Sequence, residues 1–280
     1  MKPLEGKIAV VAGATRGAGR GIARMLGEAG ATVYCTGRSS RAQPNTSAHH
    51  YAGRPETIEE TAEKRLDVLV NVLTGRPVKV WGPFWKADVA DGLDQLTGWL
   101  APHAVTVKHA APLLIAGKAG LIVEIVEQHT LGHHGQLWMD FFEIALKRLA
   151  YAVAEELAPH NVASVAITPG FMRTEAILDE FEVTESTWRN AVNDPVPKGY
   201  GWAGSESPCF IGRAVAALAA DPDVMKKSGG LYSSWGLSDE YGFSDVNGER
   251  PHLWRYWEKA FPHLTSGRPA TGRIWEVREG

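Results

Sequence analysis

Apolar runs and their interruptions divide the chain into alternating strand-like and helix-like stretches. Ile8-Ala9-Val10-Val11-Ala12 is a continuous apolar run, followed by a glycine-rich turn, an amphipathic stretch and a second run, Ala31-Thr32-Val33-Tyr34-Cys35. Lys7 to Arg38 therefore predicts strand, turn, helix and strand. The pattern then lapses: Ser39–Pro55 is rich in Ser, Ala, His, Pro and Asn without an apolar period, and predicts an exposed loop. Pro55-Glu56-Thr57 opens a short helix to about Lys64, with proline in its first turn and glutamates at the dipole's positive end. Arg65–Asn71 predicts a buried strand, and the Trp- and Pro-bearing loop Trp81–Trp85, whose aromatics suit a lid or a subunit contact, leads to a helical region over Val89–Ile115. A strand over Leu121–Val126, a loop over Glu127–Gln136 and a helix over Leu137–Leu157 follow. In that helix Phe142, Ala145, Leu149, Ala152 and Val153 recur at helical spacing, and Pro159 stops it. Val162–Thr168 reads as a strand, Glu175–Tyr200 as the least regular segment, Pro208–Ala220 as a helix and Gly230–Trp235 as a last strand. Strands alternating with helices in this way predict an α/β fold on a parallel sheet.

The first turn carries the most chemistry. Gly13-Ala14-Thr15-Arg16-Gly17-Ala18-Gly19 spaces its glycines as GxxxGxG, which permits positive φ and close approach of a bound group to the backbone. The helix after it aims free N–H groups and a positive dipole end at that spot, which suits a diphosphate. A tight turn needed only for packing would also use glycines. Two arginines sharpen the signal: Arg16 sits in the turn, and Arg38 lies just past the second strand, where an acidic residue would meet a ribose 2′-OH. A guanidinium there suits a 2′-phosphate, so the residues favour NADP over NAD.

On these residues the chain resembles the short-chain dehydrogenase/reductase (SDR) family, and the resemblance continues through Leu66–Asn71, Leu121–Leu157 and Thr168–Thr174. It implies a Rossmann-like doubly wound parallel sheet in a single domain over 1–280, with the core at 6–236, an irregular substrate cap at 171–207 and a C-terminal extension at 237–280. There is no room for one strand and helix between Lys64 and Arg65, so the third family strand is expected to be missing and the adenine end less well held. The cofactor-binding residues implied are Gly13, Thr15, Arg16, Gly17, Ala18, Gly19, Arg38, Asn71, Pro169, Gly170 and Thr174. In the family, the Pro-Gly turn borders the nicotinamide and the threonine contacts its carboxamide. Members pair through helices like Leu137–Leu157, which implies a homodimer or homotetramer acting on a small-molecule substrate.

The same resemblance exposes a gap. The family uses a tyrosine as proton donor, a lysine four residues later, a serine about a dozen residues earlier and a helix asparagine. Registered on Arg148-Leu149-Ala150 and the Ala154–Leu157 end, the tyrosine position holds Met139, the lysine position Glu143 and the serine position Val126, while the asparagine falls near Thr97. A thioether has no proton to give, and a carboxylate reverses the charge of an ammonium. Glu127, Gln128, His129, His133, His134, Asp140 and Glu143 come from the same loop and helix edge. Of these, Glu143, Asp140 and His133 are the candidates for acid/base work: the two carboxylates, spaced i,i+3, share a face, and a histidine titrates near neutral pH. The bland readings are a surface Glu143 paired to Lys147 and an Asp140 at the helix's positive end. Three functions remain open: redox-neutral acid/base chemistry such as isomerisation, cyclisation, elimination or addition; NADP(H)-dependent carbonyl reduction with a substituted proton donor; or an inactive relative.

Composition narrows the partners. The chain has 280 residues, 44% hydrophobic and 22% charged, with a net charge of −3, so nothing points to nucleic acid or an anionic membrane. Only Cys35 and Cys209 are present, which predicts buried thiols in a reducing compartment rather than a disulfide framework. No apolar run reaches the length of a bilayer span, the N-terminal stretch reads as a strand rather than a signal peptide, and the expected location is the cytoplasm. His49-His50 has no cysteine or carboxylate at ligand spacing, so no metal is expected.

Overall fold

The computed structural model describes residues 2–37, 65–73, 83–127, 136–193 and 201–260. Its elements are β1 (Ile8–Ala12), α1 (Gly17–Glu28), β2 (Thr32–Thr36), β3 (Val68–Asn71), α2 (Val89–Ala116), β4 (Gly120–Ile125), α3 (Leu137–Leu157), β5 (Val162–Thr168), α4 (Glu175–Glu180), α5 (Pro208–Ala220), β6 (Leu231–Ser233), α6 (Ser234–Tyr241) and α7 (Leu253–Ala260). The six strands pair in parallel in the order β2-β1-β3-β4-β5-β6. The order reverses between β1 and β3, and in open α/β sheets a crevice opens at such a reversal, outside the carboxyl ends of the strands. Among the described residues β2 is the edge on that side. The predicted helix before β3, the loop from Ser39 and the candidate residues Arg38 and His133 lie outside the described residues, as do Gln128, His129, His134 and His49-His50.

The two-residue period of the strands sends side chains to two cores. On one face Ala9, Val11, Val70, Val123 and Val165 pack against Ile22 and Leu26 of α1 and Ile211, Val215 and Leu218 of α5. On the other, Val10, Leu69 and Ile122 meet Val107, Ala110 and Leu114 of α2, and Ala166 meets Phe142, Leu146 and Ala150 of α3. Each fully buried aliphatic side chain is worth about 1.5–3 kcal/mol, and all seven residues of β5 are buried. α1 and α5 cross at two glycines: a Cβ on Gly21 would lie 1.8 Å from the Pro208 carbonyl oxygen, and one on Gly212 would lie 2.6 Å from that of Gly21.

Four sequence expectations are corrected. Cys35 is exposed, while Cys209 is buried, because an edge strand is covered on fewer sides. The strand expected over Arg65–Asn71 starts at Val68, although Leu66 and Asp67 are already buried. The last strand stops at Ser233, whose hydroxyl accepts from Gly236 N–H and starts α6, and Gly242 at φ +77° ends that helix. The buried face of α3 is Trp138, Phe142, Glu143, Leu146, Lys147, Ala150, Ala154 and Leu157, rotated from the expected stripe and including two charged side chains.

Candidate active site

The glycine turn fits a diphosphate. Gly13 takes φ +92° and both it and Ala14 donate to the Thr36 carbonyl, at 3.0 and 2.9 Å. A Cβ on Gly13 would lie 2.3 Å from the Val72 oxygen, and one on Gly19 would lie 2.2 Å from the Gly13 oxygen, so only glycine allows the backbone to fold this tightly. Gly17 opens α1 at φ +51°, and the first N–H groups of the helix have no intrahelical acceptor. Thr15 and Arg16 are exposed at the rim, with Arg16 at the N-cap, and Ala18 is buried. The Pro169-Gly170 turn follows β5, and Thr174 caps α4, its hydroxyl accepting from Ile177 N–H. Glycine turn and Thr174 meet: a Cβ on Gly17 would lie 3.3 Å from Thr174 Cγ2.

Beside the reversal point lies a buried polar chain. Asn71 Nδ2 donates to Glu124 Oε1 at 2.7 Å, while Thr106 Oγ1 donates to Asn71 Oδ1 at 2.9 Å, so both ends of this amide are engaged inside the protein. The other Glu124 oxygen, Oε2, lies 2.5 Å from His103 Nδ1, and His103 Nε2 lies 2.9 Å from the Leu73 carbonyl oxygen. A carboxylate and a carbonyl are both acceptors, so the ring satisfies them by carrying a proton on each nitrogen. Burial alone would lower the His103 pKa, but the hydrogen bond and charge of Glu124, the Leu73 carbonyl and the charge of Glu143 outweigh it and raise it.

Glu143 is not a surface residue. It is 3% exposed, Glu127 N–H donates to its Oε2 at 2.8 Å just past the end of β4, and Lys147 Nζ, on a residue 2% exposed, stands 4.0 Å from the same oxygen. Burial, with the nearby Glu127 charge, pushes the Glu143 carboxyl up to about 7 against the opposing pull of Lys147, the Glu127 N–H and His103. Burial likewise lowers the Lys147 pKa, although Glu143, Asp140 and Glu127 hold it up. Asp140 is half-buried one turn before, Met139 packs on the Phe142 cluster, Val126 is buried within that cluster, and Thr97 is exposed. Among the described residues no group of three or more His, Cys, Asp or Glu is arranged to hold a metal ion, and no helix is long and apolar enough to cross a membrane.

A second buried cluster backs the Pro-Gly turn. Gly170 N–H and Ser234 Oγ both donate to Glu206 Oε2, at 2.9 and 2.5 Å. Burial, with Asp245 nearby, lifts the Glu206 carboxyl to about 8. Arg173 donates through Nη1 to the Ser205 carbonyl and through Nε and Nη2 to Glu185, and its guanidinium lies over the Trp188 ring. A cavity of about 520 Å³ lies between Trp188, Arg189, Ser205, His252 and Tyr256, and neither the glycine turn nor Glu143 lines it.

Compared with known protein families, the chain matches the short chain dehydrogenase model over residues 7–182. The chain belongs to the short-chain dehydrogenase/reductase family. This SDR chain is 32% identical over 273 residues to mouse dehydrogenase/reductase SDR family member 1, a match that covers 89% of this chain and 86% of that one. It is 25% identical to the 3-oxoacyl-[acyl-carrier-protein] reductase FabG of Escherichia coli (strain K12), over 82% of this chain and 98% of that one. Among solved structures it resembles a protein from Beutenbergia cavernae, provisionally assigned as an NAD(P)-dependent gluconate 5-dehydrogenase and holding NADP at low occupancy. That similarity has a TM-score of 0.58 at 25% identity, over 82% of this chain and 96% of that one.

The sequence candidates Glu143 and Asp140 both lie on α3, and Lys147, expected only as the surface partner of Glu143, is buried beside it, while His103, Glu124, Arg173 and Glu206 are not among the sequence candidates. Signals existed for two of them in this SDR chain. Glu124 interrupts an otherwise apolar strand, and His103 continues the inward period Trp99, His103, Val107, Ala110, Leu114 of α2.

Proposed function

We propose that this SDR chain is an NADP(H)-dependent oxidoreductase of a small carbonyl or alcohol, with Glu143, backed by Lys147, handling the proton. The observation that carries the reading is the buried Glu143 carboxyl near pKa 7, 4.0 Å from the Lys147 amine. On the register of the family resemblance, tyrosine and lysine would stand four residues apart at Met139 and Glu143. Here an acid and an amine stand four apart at Glu143 and Lys147, one helical turn on, which is about 6 Å along the axis. The dinucleotide reading is supported by the glycine turn, by Thr174 against Gly17, and by the NADP found in the Beutenbergia structure.

NADP(H), when bound, supplies or takes up the hydride. In the direction of reduction, Glu143 in its acid form holds a proton on its carboxyl and passes it to the substrate oxygen as negative charge develops there. Lys147 then faces the carboxylate left behind, and the Glu127 N–H stabilises the same oxygen. In the direction of oxidation the Glu143 carboxylate takes the alcohol proton. A pKa near 7 keeps both forms populated at neutral pH, so reduction is expected to fall and oxidation to rise as pH passes through about 7. Glu143→Gln removes both limbs of that profile and lowers turnover by about 100-fold or more while leaving NADPH affinity in place. Unchanged turnover, measured as NADPH consumption over a panel of small aldehydes and ketones, would rule the role out. Arg38→Ala is expected to weaken NADPH more than NADH in fluorescence titrations, and equal loss for both counts against a 2′-phosphate site.

Redox-neutral acid/base chemistry draws on the same near-neutral carboxyl. It is distinguished by Glu143-dependent turnover that continues without NADP(H). An inactive chain would bind NADPH and show no Glu143-dependent turnover in either assay.

A further inference from the structure

The start of α1 is where the dinucleotide diphosphate belongs, because its first N–H groups and its dipole both face an anion there. In this structure an anion from the chain itself already touches that seat. Gly17 N–H donates to Glu175 Oε2 at 2.9 Å, and Arg20 Nη1 donates to Glu175 Oε1 at 3.0 Å. One carboxylate thus takes a backbone amide with one oxygen and a guanidinium with the other, the two kinds of donor that phosphate oxygens use. The contact joins residues 158 apart in sequence, from the cap side of the cleft to the glycine turn. Thr174, the residue before Glu175, closes on the same glycine from the side, leaving 3.3 Å between its methyl and a Cβ placed on Gly17. Burial by itself would raise the Glu175 pKa, but its own backbone N–H, the Gly17 N–H and Arg20 outweigh it and lower it, so the group is anionic at neutral pH.

We propose that Glu175 is an internal competitor for the diphosphate seat and the residue that sets how tightly the dinucleotide is held. Two anions cannot share the Gly17 amide, and at a few ångströms they repel. Loading of the cofactor must therefore break the Gly17–Glu175–Arg20 clamp, turning the Glu175 side chain out and releasing Arg20 to the incoming phosphates. Departure of the cofactor lets the clamp form again. The inference rests on the reading that this chain binds NADP(H), and it inverts the usual expectation for a side chain at a binding site: removing it strengthens binding.

The test uses the full chain with Glu175→Gln, which keeps the shape and removes the charge, and Glu175→Ala, which removes both. Thr174 still caps α4 in each, and far-UV circular dichroism checks that the helices are kept. NADPH is titrated by fluorescence, and inorganic pyrophosphate is titrated separately by thermal shift. The expected result is a dissociation constant for NADPH about 10-fold lower in both variants, with a larger pyrophosphate shift than in the unmodified protein. NADPH bound by all three proteins, equally well or more weakly by the variants, overturns the competition and leaves the cofactor reading standing. NADPH bound by none, with pyrophosphate stabilising the variants more, ends the cofactor reading and keeps the competition. NADPH bound by none, with pyrophosphate shifts that do not differ, overturns both.

Discussion

Glu206 shows how much a single buried carboxyl can shape the behaviour of this chain. It is 1% exposed, its Oε2 takes two hydrogen bonds, and its Oε1 has no partner, an arrangement that suits a neutral acid better than a carboxylate. Its pKa is raised to about 8 in the folded protein, from an ordinary value near 4.5. The folded state therefore binds more protons than the unfolded state between those values. By linkage the stabilisation is fully present below the ordinary value and is lost as pH rises through about 8, with a total on the order of 5 kcal/mol. Glu206→Gln is expected to flatten this decline, as read from urea midpoints between pH 5 and 8. An unchanged slope would place the proton elsewhere. Residues of this kind are hard to read from sequence because burial of a charge depends on partners brought in from far away. Glu143 was recognisable as a carboxylate in the right region, but its i,i+4 spacing to Lys147 looks the same on a solvated helix face, and only the packing of α3 tells the two apart.

At the level of elements the chain announces itself clearly. Apolar strands, the GxxxGxG turn and Pro159 after α3 mark most boundaries, since each reflects local backbone preference or a period of burial. What sequence alone could not supply was which elements touch. β2 reads as a buried strand until its place at the sheet edge is known, and Cys35 is exposed for that reason. The α1–α5 crossing has the same character. Gly21 falls within a helix, where glycine costs about 1 kcal/mol relative to alanine, and on propensity alone Gly21→Ala should stabilise. The close approach of backbones reverses the sign: the added methyl would stand 1.8 Å from the Pro208 oxygen, and the far side of the contact is backbone that cannot swing away. Gly21→Ala is expected to destabilise by about 1–3 kcal/mol, seen as a lower urea midpoint with an unchanged slope. A midpoint at or above that of the unmodified protein would mean that the helices separate freely.

For the molecule as a whole, the strand order places the crevice between the ends of β1 and β3, and this much follows from the α/β alternation and the glycine turn. The outer surface of α2 and α3 raises a different question. Phe84, Trp85, Val89 and Leu93 are exposed along and just before the first turns of α2, and Phe141 is exposed on α3. Gly92 carries α2 against the Trp138 ring, which meets Phe141 edge-on, so these apolar groups share one end of the helix pair. Exposed apolar side chains of this kind are costly to leave in water and are covered when two copies pack the same face together, residue i of one meeting residue j of the other and j meeting i. The expected species is a homodimer or a tetramer built from it, with a mass in light scattering a whole multiple of the 30.4 kDa chain. Leu93→Glu with Phe141→Glu places charges in the centre of that contact and should return the mass to one chain without loss of helical signal. A single-chain mass before any substitution, or an assembly that survives both charges, would mean that this face is not where the copies meet.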